Sequence, residues 1–249
     1  MSRPTSKRQR ALQGANARRG YVAHIYTAST VFFIALSAQL ILQGRYTWAL
    51  LMMAVTVIID ATDGSLARKL KVKETAPSID GRRLDDIIDY VSYVFLPMLF
   101  ALETGLLAPP AAAFAALAMF ASAFGFSRTS AKLDAEGFFL GFPSYWNIVV
   151  FYLYLFETPP LLNTLIVLGL ALMVFVPLRY LYLTRLPRHR PVNYVLALVW
   201  SALCLLALFW EPGPVQRAVL FVSLLYPAYY FIYSMILDFR SRAAAKEAH

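Results

Sequence analysis

Apolar residues gather in runs of about 20, the length a helix needs to cross the hydrocarbon core of a bilayer. Short polar or proline-bearing turns separate these runs. They predict about eight transmembrane helices, over residues 21–43, 46–63, 84–102, 109–127, 143–157, 160–183, 192–210 and 215–239. Little chain is left between them, so the expected fold is an all-α polytopic bundle without a separate soluble domain. Residues 1–20 read as a basic N-terminal segment, 21–239 as the membrane domain and 240–249 as a polar tail. Pro97, Pro177 and Pro227 fall inside spans and predict kinks, with neighbouring helices satisfying the freed carbonyls. Gly137 and Gly141 have the small-xxx-small spacing of a close helix contact.

Composition agrees with the pattern. Hydrophobic residues make up 59% of the chain and charged residues 15%, which excludes an ordinary soluble domain. The first twenty residues have no apolar core or small-residue cleavage site, so a cleavable signal peptide is not expected. Cys204 is alone and inside a span, which excludes an intramolecular disulfide.

Lysine and arginine are retained on the cytoplasmic side of short loops. With a cytoplasmic N-terminus, the inside segments hold the basic residues of 3–19, 68–83, 128–132, 179–190 and 240–246, while the outside turns keep Arg45 and Arg217. Both termini are therefore expected in the cytoplasm. The net charge of +9 reads as attraction to anionic lipid at that leaflet rather than to nucleic acid. Residues 5–19 form either a basic interfacial helix or a disordered topogenic tail.

Of fourteen acidic residues, Asp60, Asp63, Glu74, Asp80, Asp85, Asp86 and Asp89 crowd into one stretch. An aspartate at the centre of a membrane helix costs roughly 2.5–3.5 kcal/mol, so acids in or beside a span are read as functional. Helix capping is the alternative, and it suits Asp85 and Asp86. It does not suit Asp60 and Asp63, which close the second span where the helix dipole repels anions. Asp60 and Asp63 are i, i+3 and Asp85 and Asp89 are i, i+4, so each pair shares a helix face. With the second span descending and the third returning, the pairs can meet at one depth. Four converging carboxylates need cations, and hard oxygen ligands select magnesium or manganese. Two such ions suit displacement at phosphorus. Gly64 and Ala67 continue the Asp60–Asp63 stripe, leaving room for a ligand or for close helix packing. Arg68 follows on it and suits phosphate, and Gly81 sits one turn before Asp85.

Read in order, Asp60, Asp63, Gly64, Ala67 and Arg68, then Gly81, Asp85 and Asp89, resemble the signature of the CDP-alcohol phosphotransferase family. That signature is D-x2-D-G-x2-A-R, a spacer, then G-x3-D-x3-D, and every fixed position is present. The resemblance implies an enzyme that replaces the CMP of a CDP-linked alcohol with an acceptor hydroxyl. It implies that Asp60 and Asp85 bridge two metal ions, that Asp63 ligates one, and that Asp89 ligates the other and is the general base. It also implies that Gly64, Ala67, Arg68 and Gly81 contact the head of CDP-diacylglycerol, and that the chain forms a homodimer. The spacer 69–80 is longer than the family commonly has. With the span count, it resembles the bacterial phosphatidylcholine synthase branch. That likeness implies choline as acceptor, phosphatidylcholine and CMP as products, and Mn2+ (or Mg2+) as cofactor. It further implies a bacterial inner (cytoplasmic) membrane location with the active site on the cytoplasmic side.

The acceptor leaves a weaker trace. Choline's quaternary ammonium has no N–H to donate and is held by aromatic faces. Tyr90 and Tyr93, within a turn of Asp89, are the candidate contacts, although tyrosine is enriched at membrane interfaces in any case. An anionic acceptor such as glycerol phosphate would draw on Arg128, Lys132, Arg185, Arg188 and Arg190; serine and inositol are further alternatives. A divalent-metal transporter would explain the acids but not the small-residue stripe or Arg68. His24, His189 and His249 are too scattered for a zinc site, and no Ser-His-Asp order is present.

Overall fold

The computed structural model describes residues 7–128, 132–133, 138–181 and 190–247, with side chains described over 19–128, 140–180 and 192–239. The described chain is mostly helical and divides into two compact units, residues 1–92 and 93–249. Four helical stretches are long and apolar enough to cross a membrane: Arg19–Leu42, Tyr46–Lys69, Val192–Phe209 and Pro214–Phe239. They mark a membrane protein.

The first unit opens with α1 (Lys7–Leu42), which turns back into α2 (Tyr46–Lys69). The reversal is a Schellman cap. Gly44, at φ +70°, donates to the Ile41 carbonyl, and Arg45 donates to that of Leu40, which satisfies carbonyls the helix end leaves open. The antiparallel register is held by polar pairs: Tyr26 Oη with Thr62 Oγ1 at 2.7 Å, Thr27 Oγ1 donating to Asp63 at 2.7 Å, and Ser37 Oγ donating to the Ala49 carbonyl at 2.9 Å. Below these pairs, Ala23 packs with Val72 and Ala76 of the short α3 region (Val72–Thr75) and with Leu66, Ala67 and Leu70. Then α4 (Gly81–Tyr90) begins, and α1 packs against α2, α3 and α4.

Two expectations change here. Helix α1 runs without interruption from Lys7, so residues 7–19 are neither a separate interfacial helix nor a tail; strong helix formers such as Ala11, Leu12, Ala15 and Ala17 extend the span backwards. Residues 1–6 lie outside those described. The second span does not close at Asp63 but continues as helix to Lys69, with Arg68 and Lys69 in its last turn, where positive charge complements the dipole.

A π-helical turn (Val91–Phe95) carries the chain over the boundary at residue 92 and leads into α5 (Leu96–Glu103) of the second unit. Pro97 sits in the first turn of α5. Its missing N–H and ring clash are absorbed by the wider turn before it. There follow α6 (Ala111–Ser127), α7 (Trp146–Leu155), α8 (Pro160–Met173), α9 (Arg190–Phe209), α10 (Pro214–Ser223) and α11 (Leu225–Glu247). The break at Leu224 falls just before Pro227, as expected of a residue that cannot donate along the helix. Helix α11 carries on through Glu247, so most of the expected polar tail is helical.

The all-α expectation needs one correction. Strands β1 (Lys132–Leu133), β2 (Phe138–Leu140) and β3 (Arg179–Leu181) pair antiparallel in the order β1-β2-β3. Strands this short carry no alternating pattern to read. Helix α8 accordingly ends at Met173, and Pro177 lies in the connection to β3 rather than kinking a helix. Gly141 is likewise off any helix, at φ +84°, with its backbone pressed against Val174; Gly137 lies outside the described residues.

Several polar side chains within this unit pair with one another. Tyr152 Oη meets Ser223 Oγ at 2.8 Å and accepts from Trp200 Nε1 at 2.9 Å. Trp146 Nε1 donates to Ser122 Oγ at 2.8 Å.

A methyl added at Gly141 would lie 2.3 Å from the Val174 carbonyl oxygen, whereas one added at Gly169 meets nothing within 4 Å. Gly141→Ala is expected to lower stability by about 1–3 kcal/mol, read as a lower thermal unfolding midpoint in detergent. Gly169→Ala should leave that midpoint unchanged or raise it.

Candidate active site

The acidic residues of the first unit stand on two helices. Asp60, Asp63, Gly64, Ala67 and Arg68 lie on α2, and Gly81, Asp85 and Asp89 on α4. Helix α4 starts where it does because Asp80 caps it. The Asp80 Oδ1 accepts from the backbone N–H of Arg82 at 3.1 Å and of Arg83 at 3.2 Å. The capping role that sequence alone allows for Asp85 and Asp86 therefore belongs to Asp80. Asp85 and Asp89 are left one turn apart on a helix whose buried residue is Ile88.

The two helices bring together Asp60, Asp85 and Asp89. Each is half-buried, and each offers a carboxylate oxygen within 4.8 Å of the other two. At that separation, like charges repel by about 3 kcal/mol per pair at an effective dielectric of 20. Protonation or a bound cation relieves such crowding. The donor set is all hard oxygen from three residues on two helices, which fits a hard divalent cation. Asp63 lies one turn beyond Asp60, only 7% exposed, and accepts the Thr27 hydroxyl hydrogen bond from α1. Sequence reading named Asp63 but missed Thr27. Its only signal was a hydroxyl within an apolar run, a feature too common to single out.

The small residues divide by environment. A Cβ at Gly64 would meet Arg68 Nη1 at 3.4 Å and no other atom within 4 Å. Close helix packing therefore does not explain this glycine. Ala67, by contrast, packs in the cluster with Ala23 and Val72. Gly81 is needed locally: a Cβ there would come within 2.9 Å of the His24 ring. The exposed Arg68 guanidinium donates to Ser65 Oγ at 3.0 Å, one turn back.

Among the residues named for the acceptor, Tyr90 is half-buried at the end of α4. Tyr93 is buried in the second unit with its ring 6.1 Å from that of Tyr145. Of the basic set suited to an anionic acceptor, the Arg128 guanidinium sits 6.0 Å from the Phe175 ring centre. Arg185 and Arg188 lie outside the described residues, as do the side chains of Lys132 and Arg190, and His189 and His249.

With this geometry in hand, comparison with known proteins is informative. The sequence profile of the CDP-alcohol phosphatidyltransferase family matches residues 21–177, a region that contains both halves of the acidic motif. The phosphatidylcholine synthase of Legionella pneumophila is 42% identical over 168 residues, covering 67% of this chain and 66% of that protein. That of Rhizobium meliloti is 35% identical over 191 residues, 76% of this chain and 79% of the relative. That of Borreliella burgdorferi is 30% identical over 233 residues, 93% of this chain and 99% of the relative. On the profile match, these identities and the complete acidic signature, the chain belongs to the CDP-alcohol phosphatidyltransferase family.

Proposed function

We propose that this chain transfers the phosphatidyl group of CDP-diacylglycerol to the hydroxyl of choline, giving phosphatidylcholine and CMP. The observation that carries the reading is the convergence of Asp60, Asp85 and Asp89 beside an open glycine, Gly64, and a phosphate-suited arginine, Arg68. The relatives named phosphatidylcholine synthase support choline as the acceptor.

In this reading, Asp60, Asp63, Asp85 and Asp89 would hold two divalent ions, Mn2+ or Mg2+, which when bound would supply Lewis-acid stabilisation of phosphoryl charge. Gly64, Ala67, Arg68 and Gly81 border the cytidine diphosphate head, and the acyl chains stay in the membrane. Asp89 takes the proton of the choline hydroxyl. The choline oxygen attacks the phosphorus attached to diacylglycerol, the bond from that phosphorus to the CMP oxygen breaks, and CMP leaves. Arg68 faces the negative charge that grows on the leaving phosphate. Tyr90 and Tyr93 are the aromatic residues assigned to the quaternary ammonium. The chain crosses a bacterial inner membrane in eight segments as a homodimer, with both termini and the site on the cytoplasmic side.

Purified full-length protein with manganese, CDP-diacylglycerol and single acceptors tests the reading. Choline should give phosphatidylcholine and stoichiometric CMP. Product from serine and none from choline would remove choline as acceptor, and metal flux into vesicles without CMP release would favour a transporter. Asp89→Asn is expected to lower kcat by about 10²–10⁴-fold while CMP binding persists; full turnover would exclude Asp89 as the base. Gly64→Ala places a methyl in space that holds no packed neighbour. It should leave the unfolding midpoint unchanged and raise KM for CDP-diacylglycerol, so an unchanged KM would show that no ligand approaches there.

A further inference from the structure

His24 has no role in the scheme above, yet it is the most unusual polar residue of the first unit. It is 6% exposed, and its Nε2 is buried without a hydrogen-bond partner. Buried ring nitrogens are normally satisfied, so an orphan in an otherwise well-paired region calls for an explanation. The polar and buried neighbours around it on α1 are engaged. Tyr21 Oη pairs with Ser78 Oγ at 2.8 Å, Ala23 packs in the cluster with Val72 and Ala76, Tyr26 Oη pairs with Thr62, and Thr27 donates to Asp63.

Those pairings also fix its depth. Thr27 stands opposite Asp63 on the antiparallel α2, and Ala23, one turn earlier, lies in the cluster that Leu66, Ala67 and Leu70 border, which sets His24 on the Lys69 side of the carboxylates. From the third side comes Gly81, the first residue of α4. A Cβ at Gly81 would lie 2.9 Å from His24 Cε1 and 3.4 Å from Nδ1, so the imidazole edge rests on the bare α-carbon of the helix that carries Asp85 and Asp89. The Tyr21 ring stands edge-on to the imidazole, 6.5 Å away, and gives it no polar partner.

We propose that His24 is a substrate-binding residue whose Nε2 hydrogen-bonds a polar atom of the cytidine monophosphate half of the CDP-linked substrate. The proposal rests on the function proposed above, and the level of His24 selects that half of the molecule. The lipid tails leave the carboxylates towards the membrane, while the water-soluble nucleotide leaves towards the charged end of α2, where His24 sits. The ring carries both a donor and an acceptor nitrogen when neutral, which suits a nucleotide and does not suit a quaternary ammonium.

Three readouts on full-length protein test this, the first two with manganese and the third with diamagnetic magnesium. His24→Phe keeps an aromatic ring but removes the nitrogens. It should weaken CMP binding and raise KM for CDP-diacylglycerol by about tenfold or more, with KM for choline changed by less than about twofold. His24→Gln carries an amide nitrogen to a position close to that of Nε2, and is expected to recover most of the CMP affinity. Wild-type affinity for CMP in His24→Phe would overturn the proposal. So would losses that are equal in the Phe and Gln variants and accompanied by a lower unfolding midpoint. The third readout needs no variant at position 24. In protein with 15N-labelled histidine, and with His189 and His249 replaced by Gln, adding CMP should shift the Nε2 resonance; an unmoved resonance would overturn the proposal. If CMP shifts that resonance while no phosphatidylcholine forms, the choline reading fails and this one stands. Normal turnover with an unmoved resonance gives the reverse.

Discussion

Mutual repulsion among the Asp60, Asp85 and Asp89 carboxylates is the constraint on which the first unit depends. Carboxylate oxygens within 4.8 Å of one another need a proton or cation to offset their charge and a backbone that sets them at that spacing. Two helices therefore have to be fixed against each other at one depth. The fixing comes from α1, which packs against α2, α3 and α4. Its contribution combines the apolar Ala23 cluster with short polar pairs: Thr27 to Asp63, Tyr26 to Thr62, Tyr21 to Ser78. Of these the Thr27–Asp63 bond is part-buried and the other two are exposed.

The same constraint accounts for the ends of the elements that carry the acids. Helix α2 does not stop at its last carboxylate; it continues to Arg68 and Lys69, which sets cationic residues at the negative end of the dipole. Helix α4 begins with a dedicated cap, Asp80, so that Asp85 and Asp89 are not occupied in terminating it. A chain that spent Asp85 on capping would lose the third carboxylate. The long spacer between Arg68 and Gly81 contains the α3 turn, whose Val72 and Ala76 close onto Ala23. Its length is used to seat α4 against α1.

The reach of the sequence is clearest at particular residues. Asp60, Asp63, Asp85 and Asp89 were legible because acids are rare in apolar runs, and their i, i+3 and i, i+4 spacing put each pair on a shared face. Gly64 and Gly81 were legible as small residues but not as different ones. Gly64 faces open space, whereas Gly81 makes room for a histidine that lies far from it in sequence. Thr27 and His24 were not legible, since a single hydroxyl or imidazole in an apolar helix carries no pattern. Their roles come from partners that only a folded chain supplies. Pro97 and Pro227 did interrupt regular helix, as their missing N–H requires, but Pro177 lies in a connection between a helix and a short strand.

The sequence by itself determined the membrane class, the acidic chemistry and the family. Each of these rests on composition or on local periodicity, which a linear chain displays in full. Tertiary structure decided which carboxylates converge, which aspartate is spent as a cap, and which buried nitrogen is left without a partner. Those outcomes depend on distances between helices, and no spacing along the chain encodes a distance that the packing of α1 alone creates.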